Sequence, residues 1–312
     1  MYVTKKDYLC LIITMRKNTF YTIIILISYL AFPCSAEIIR GENGEDVNWT
    51  FNTTTGEFSL YGRGTKWESD STQSLPWYDY LGEIRKVYIA TDVTYLGSWA
   101  FAGCAKLNNF TLPTSVRRVG TGILYNTGGI TEPVYNDSIF LFLPTNYNGP
   151  YTLPEGPRYI AGGAFFGCKE LTTIKVPESY KEIGEYAFSH CTKLMTITIK
   201  GDIKEIAAGT FDECSSLKAP KLPDGIKCIG ENAFSGCISF TSFVVPNGTE
   251  EIGEKAFALC SKLSNIRFPS SLQKIHAHAF VYCDELHNVN IPNSACKLER
   301  SSFPYHCTVT YK

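Results

Sequence analysis

No Cys-x-x-Cys pair occurs among the 12 cysteines, and that spacing is the usual mark of a structural zinc site. Gly-x-Ser-x-Gly, His-Glu-x-x-His and a phosphate-cradling glycine loop are also missing, so motif-borne hydrolase, metalloprotease and nucleotide chemistry have no foothold. The five histidines are His190, His276, His278, His287 and His306. Only His276-Ala277-His278 form a close pair, and a metal there would need Asp284 or Glu285 as well; we assign no metal and no cofactor. Lys and Arg are not clustered, and 29 basic against 30 acidic residues leave a net charge of -1. That balance excludes the footprint of a nucleic-acid binder.

Long apolar runs are scarce too. The longest, from Phe20 to Phe32, is too short to span a bilayer comfortably. It follows Arg16-Lys17 and precedes Cys34-Ser35-Ala36, which predicts an export signal over residues 1–36, cleaved after Ala36. Met15 offers an alternative true start. A retained N-terminal anchor and a lipid-modified Cys34 are the competing readings, although Phe32-Pro33 is a poor acylation context. The mature chain would carry a net charge of -4, with no membrane span and no sorting tail before Lys312. The expected location is secreted, cell-surface or periplasmic.

What the chain does have is a period. Cys168, Cys191, Cys214, Cys237, Cys260 and Cys283 are all 23 residues apart, and Phe165, Phe188, Phe211, Phe234, Phe257 and Phe280 keep the same step. A fixed period in the twenties with a Leu-x-x-Ile-x-Val core marks a solenoid close to the leucine-rich pattern. Each unit alone cannot bury its apolar face, and stacking makes one continuous core. The predicted fold is a mainly β repeat solenoid with short helical or irregular corners, a right-handed stack of 23-residue coils. Gly184 is expected to permit the corner's turn. Eight cysteines, including Cys104 and Cys307, share one phase. Equivalent residues of stacked coils lie about 4.8 Å apart with parallel side chains. A disulfide also needs a particular torsion, so buried free thiols are the simpler reading. Cys228 and Cys296 lie off this ladder and are the better candidates for reactive thiols.

Residues 37–85 read differently. Trp49-Thr50-Phe51 and Gly56–Gly62 alternate around a Thr/Gly turn, as a hairpin does. This segment would be the N-terminal β cap that covers the first coil. Its aromatics form either the core of that lid or a sugar-stacking platform, for which Trp67, Trp77 and Tyr78 are candidates. The solenoid should then run over residues 86–312. The ladder skips from Cys104 to Cys168, so longer, degenerate repeats are expected at about 120–156, with strands near Thr121–Tyr125 and Ile139–Pro144.

In Leu171-Thr172-Thr173-Ile174-Lys175-Val176-Pro177, apolar and polar residues alternate, and Pro177 ends the strand. The outward positions, coil by coil, are Asn109/Thr111, Thr173/Lys175, Thr196/Thr198, Ala219/Lys221, Ser242/Val244, Asn265/Arg267 and Asn288/Asn290. No acid occurs in this stripe, and one column carries Lys175, Lys221 and Arg267. It reads either as a solvated sheet face or as a surface for an extended ligand. Five Asn-x-Ser/Thr sequons (Asn48, Asn52, Asn109, Asn136 and Asn247) would matter only in a eukaryotic secretory route.

The unit Ile-Gly-x-x-Ala-Phe-x-x-Cys-x-x-Leu-x-x-Ile-x-Ile-Pro resembles the BspA-like leucine-rich repeat family, from about Gly44 to Lys312. Trp49–Gly64 and Pro76-Trp77-Tyr78 look like the segment that often precedes such repeats, and Gly122–Gly156 is similar to the family's longer variant. The resemblance implies exported or surface proteins, many from host-associated microbes, with adhesion in some members and no shared catalytic residues. The expected function is therefore non-enzymatic. The chain, as a monomer, would bind a host or envelope macromolecule, protein or glycan, through the sheet face. A structural scaffold partnering other envelope proteins is the alternative. A polymer hydrolase is a remote third, requiring paired carboxylates at roughly 5–10 Å.

Overall fold

In the computed structural model, which describes residues 37–42, 47–62 and 72–311, alternation builds the first sheet. Strands β1 (Ile38–Glu42), β2 (Asn48–Asn52) and β3 (Glu57–Tyr61) run antiparallel in sequence order. Trp49, Phe51, Phe58 and Leu60 are buried on one side. The β2–β3 turn is closed by Asn52, whose Oδ1 accepts from the N–H groups of Thr54 and Thr55, each at 3.0 Å. β1 adds a strand to the expected hairpin. β3 then pairs in parallel with β4 (Lys86–Ile89), setting Phe58 beside Val87 and Leu60 beside Ile89. The antiparallel sheet thus passes directly into the parallel stack, and Ile38–Lys312 form one contact unit. The expected export segment lies outside the described residues.

The stack is a mainly β solenoid of about ten turns of about 23 residues. One coil shows the plan. Leu171–Val176 is the broad-face strand, in register with Thr196–Ile199 of the next coil, Ile174 beside Ile197. A second, two-residue strand follows at Glu182–Ile183, paired with Tyr159–Ile160 of the coil before. This narrow ladder recurs through the stack to Lys297–Leu298 and has no counterpart in the sequence reading, because two residues are too few to show alternation.

The corner at 184–191 is a hydrogen-bonded ladder and not a helix. The N–H groups of Tyr186, Phe188 and His190 donate forward to Ala208, Thr210 and Asp212 at 2.8–2.9 Å. Those of Ala187, Ser189 and Cys191 donate back within their own coil, to Gly184, Tyr186 and Phe188. Alternate donors point in different directions, so no run of helical bonds forms. The helical segments among the described residues are two 3-10 turns in the cap, Thr72–Ser74 and Tyr78–Tyr80. The left-handed residues are Tyr186 (φ 54°) and His190 (φ 59°). Gly184 has a different use from the expected one: a Cβ there would run into the backbone of Gly162, so glycine lets adjacent corners close up.

Inside, the phenylalanines form a rod. Ring centroids from Phe165 through Phe188, Phe211, Phe234, Phe257 and Phe280 to Phe303 step by 4.7–5.4 Å with nearly parallel planes. The cysteines run beside them, and all ten among the described residues are free thiols.

Two irregularities correct the sequence reading. Thr121–Tyr125 is not a strand. Gly122 (φ 68°) starts a corner 23 residues after that of Trp99, with Leu124 in the phenylalanine position and buried Thr127 in the cysteine position. One coil is therefore regular in phase, and the next is a single long one in which Val134–Tyr135 and Ile139–Phe142 pair antiparallel. Its loop is pinned by buried Asn136. The side-chain Nδ2 donates to Pro113 and Val116 carbonyls at 2.9 and 2.8 Å, and Oδ1 accepts from Ser138 and Ile139 N–H groups. The second irregularity is at Ala219–Leu222, where no strand forms. Pro220 stands where Ile197 stands one coil earlier and has no N–H to give the ladder. The broad sheet is interrupted there, while the narrow ladder continues from Glu205 through Cys228 to Glu251.

Candidate ligand-binding face

The broad face collects most of the expected residues. Thr173, Lys175, Thr196 and Thr198 share one sheet, with Thr173 beside Thr196 and Lys175 beside Thr198. The Thr173 and Thr196 hydroxyls lie 3.2 Å apart, hydrogen-bonded across the coils. Ser242, Asn265 and Arg267 lie on a second sheet, where Val244 is the register partner of Arg267. Asn288 and Asn290 pair with Thr308 and Thr310 on a third, and Asn290 Nδ2 donates to Thr310 Oγ1 at 3.1 Å. Lys221 is exposed but belongs to no strand, because it follows Pro220. Thr173 is half-buried, and the other nine of these ten residues are exposed.

Charge is distributed unevenly around the coil. Seven lysine–carboxylate pairs occur among the described residues, and five join adjacent coils: Lys86–Glu57, Lys106–Glu83, Lys193–Glu170, Lys227–Glu250 and Lys274–Glu299. Lys175, Lys221 and Arg267 take part in none of the ion pairs among the described residues. Away from the face, five lysines meet an acid one coil along. On the face, Lys175 stands beside Thr198 and Arg267 beside Val244.

The aromatic candidates separate. Trp67 lies outside the described residues. Trp77 is buried, its Nε1 donating to the Ala100 carbonyl at 2.7 Å and its ring packed between Trp49 and Phe101. It has no face to offer a sugar. Tyr78 remains on the surface, 42% exposed. It joins Trp99, Tyr125 and Asn126 around a groove of about 610 Å³. Sequence reasoning missed Trp99 and Tyr125, whose corner positions carry residues of mixed character in other coils, among them Gly163 and Tyr186 for the first and Ala102 and Phe166 for the second.

The thiols are held protonated. Burial pushes Cys104, Cys168 and Cys283 up to about 12. Burial works against thiolate formation at the two off-ladder cysteines as well. Cys296 is buried, and Cys228 is pushed up to about 11 by burial and then by Glu205 and Glu251 on either side. His276 meets neither Asp284 nor Glu285: its Nε2 lies 3.3 Å from Glu251 and its Nδ1 3.5 Å from Glu299, each one coil away. No group of three or more His, Cys, Asp or Glu among the described residues is arranged to hold a metal. No helix among them is long and apolar enough to cross a membrane.

With this geometry in view, the chain belongs to the BspA type leucine rich repeat family, whose model matches six copies over residues 77–147, 142–239 and 204–311. The family consists of non-catalytic repeat proteins. No curated protein matches the chain. Among solved structures it is similar to a leucine-rich repeat protein from Bacteroides ovatus (20% identity, TM-score 0.49, covering 86% of this chain and 98% of that one). The T. pallidum leucine rich repeat protein is 32% identical over 47% of this chain and 71% of its own, with a TM-score of 0.45. The pneumococcal vaccine antigen PcpA is 16% identical, TM-score 0.48, covering 73% and 63%.

Proposed function

We propose that this is an exported or surface-displayed binding protein, without catalysis, that holds a host or envelope macromolecule on its broad face. The observation that carries this reading is the acid-free outer stripe, in which Lys175, Lys221 and Arg267 recur at every second coil among hydroxyl and amide side chains. An extended solenoid face suits a long ligand better than a small one. The pattern over residues 1–36 supports export, and N-terminal sequencing of the secreted protein tests it. The test of binding is a screen of residues 37–312 against matrix proteins and glycans at two salt concentrations. A saturable hit weakened by salt and by replacing Lys175, Lys221 and Arg267 with Ser supports the face. Survival of every interaction in that triple variant removes it, and no saturable hit leaves the scaffold role in front.

A second reading rests on the groove around Tyr78, Trp99 and Tyr125. A ligand held there is lost on Trp99→Ala and indifferent to the lysines.

A further inference from the structure

Along the stack, the outer column of the face runs Lys175, Thr198, Lys221, Val244, Arg267 and Asn290. Cations recur at every second coil. The phenylalanine rings step by 4.7–5.4 Å per coil through this region, the spacing of stacked parallel strands, so cations two coils apart stand about 10 Å apart along the stack. The residues between them and in the inner column are hydroxyls and amides: Thr196, Thr198, Ser242, Asn265 and Asn288. The exceptions are Ala219 and Val244, the latter a large apolar side chain left 63% exposed. Val244 lines a depression of about 320 Å³ beside the interrupted strand, together with Pro220, Lys221 and Pro246. Asp224 is the carboxylate in that lining, and its Oδ1 already accepts from Asn247 N–H and Nδ2 at 3.3 and 3.4 Å.

Building on the binding-face reading above, we infer that the ligand is a linear anionic polysaccharide with one carboxylate per disaccharide, lying along the solenoid axis. Two coils match the length of one extended disaccharide unit, so three successive carboxylates reach Lys175, Lys221 and Arg267. The Thr, Ser and Asn rows supply partners for sugar hydroxyls. Val244 with Pro220 and Pro246 gives an apolar surface for the C–H face of a pyranose ring. An extended acidic peptide fits less well: same-face side chains recur at about 7 Å in a strand, out of step with the cations. A polyproline-type acidic peptide, with a turn of about 9 Å, is the closest competitor and belongs among the probes.

Calorimetry on residues 37–312 tests this with hyaluronan fragments of two, four, six and eight sugars. A neutral chitin octasaccharide, a heparin octasaccharide and an acidic polyproline-type peptide serve as comparison probes. We expect hyaluronan to bind at low salt and weaken at high salt. Affinity should step up to the hexasaccharide, which spans all three cations, and then level off. Lys175→Ser, Lys221→Ser and Arg267→Ser should each weaken binding roughly two- to fivefold, as exposed ion pairs do. Their melting curves should match the parent, since all three side chains are exposed. Val244→Asp should weaken the hexasaccharide more than the disaccharide. Heparin or the peptide binding as well as hyaluronan, with no length step, overturns the inference in favour of a generic polyanion surface. Absence of hyaluronan binding also overturns it; the binding-face reading still stands if another ligand is lost in the triple Ser variant. If every ligand survives that variant, both fail.

Discussion

The Phe188 carbonyl accepts two hydrogen bonds: from the Cys191 N–H in its own coil at 3.2 Å, and from the Cys214 thiol of the next coil at 3.1 Å. Phe165, Phe211, Phe234 and Phe257 repeat the arrangement with Cys191, Cys237, Cys260 and Cys283. The cysteine is thus a small buried residue that also ties one coil to the next, which explains its regular placement without any disulfide.

Replacing Cys214 with Ala removes one of the two donors and a sulfur's packing. We expect a loss of about 1–2 kcal/mol, read as a lower urea midpoint with an unchanged slope.

The rod beside it costs more to break. Phe234 is fully buried and stacked at 5.3 Å on both Phe211 and Phe257. Phe234→Ala should lower stability by about 3–5 kcal/mol. Tyr88→Ala, on an exposed ring of β4, should change it by less than about 0.5 kcal/mol.

The thiols also set an alkaline limit. Their ordinary value is 9.0, and in the folded chain Cys104, Cys168 and Cys283 are held at about 12, with Cys191, Cys237 and Cys260 raised well above the ordinary value. A raised acid favours the fold while both states stay protonated. Stability is therefore complete below pH 9 and falls as pH climbs toward 12, by about 1.4 kcal/mol per pH unit for each thiol that only the unfolded chain ionises. Urea midpoints measured at rising pH should show this decline, and a shallower one in Cys191→Val.

Asn136 is a sequon residue that the fold uses internally. Asn136→Ala strips partners from two carbonyls and two N–H groups at the start of the long coil. A loss of about 2 kcal/mol or more follows, visible in the same titration.

The period, the inward Phe and Cys columns and the polar outer stripe were legible because each is a repeated signal in the chain. The narrow ladder was not, since Glu182–Ile183 is too short to show a period. The corners were misjudged because Tyr186, His190, Leu259 and Tyr282 occupy left-handed positions that local rules reserve for Gly or Asn. Their strain is borne by bonds to the next coil, which no local rule sees. Leu124 and Thr127 hid a regular coil by replacing both marker residues at once. The aromatic lid was ambiguous for another reason. Trp77 and Tyr78 are adjacent and chemically similar, yet one is in the core and one in solvent, a distinction set by packing against Phe101. For the face, alternation read the exposed side chains, Thr173 being half-buried, but not the loss of the strand at Lys221, which Pro220 breaks.

That proline has a mechanical consequence. On the broad face, the coils before and after Ala219–Leu222 lack a connecting ladder, whereas the narrow ladder spans that gap from Glu205 through Cys228 to Glu251. The breaks are staggered, because the narrow ladder lapses in turn between Glu182–Ile183 and Glu205–Ile206, where the broad sheet is continuous. From Leu171 onward the stack is bonded like brickwork: where one ladder lapses the other pairs, so no two neighbouring coils are left without a strand pair between them.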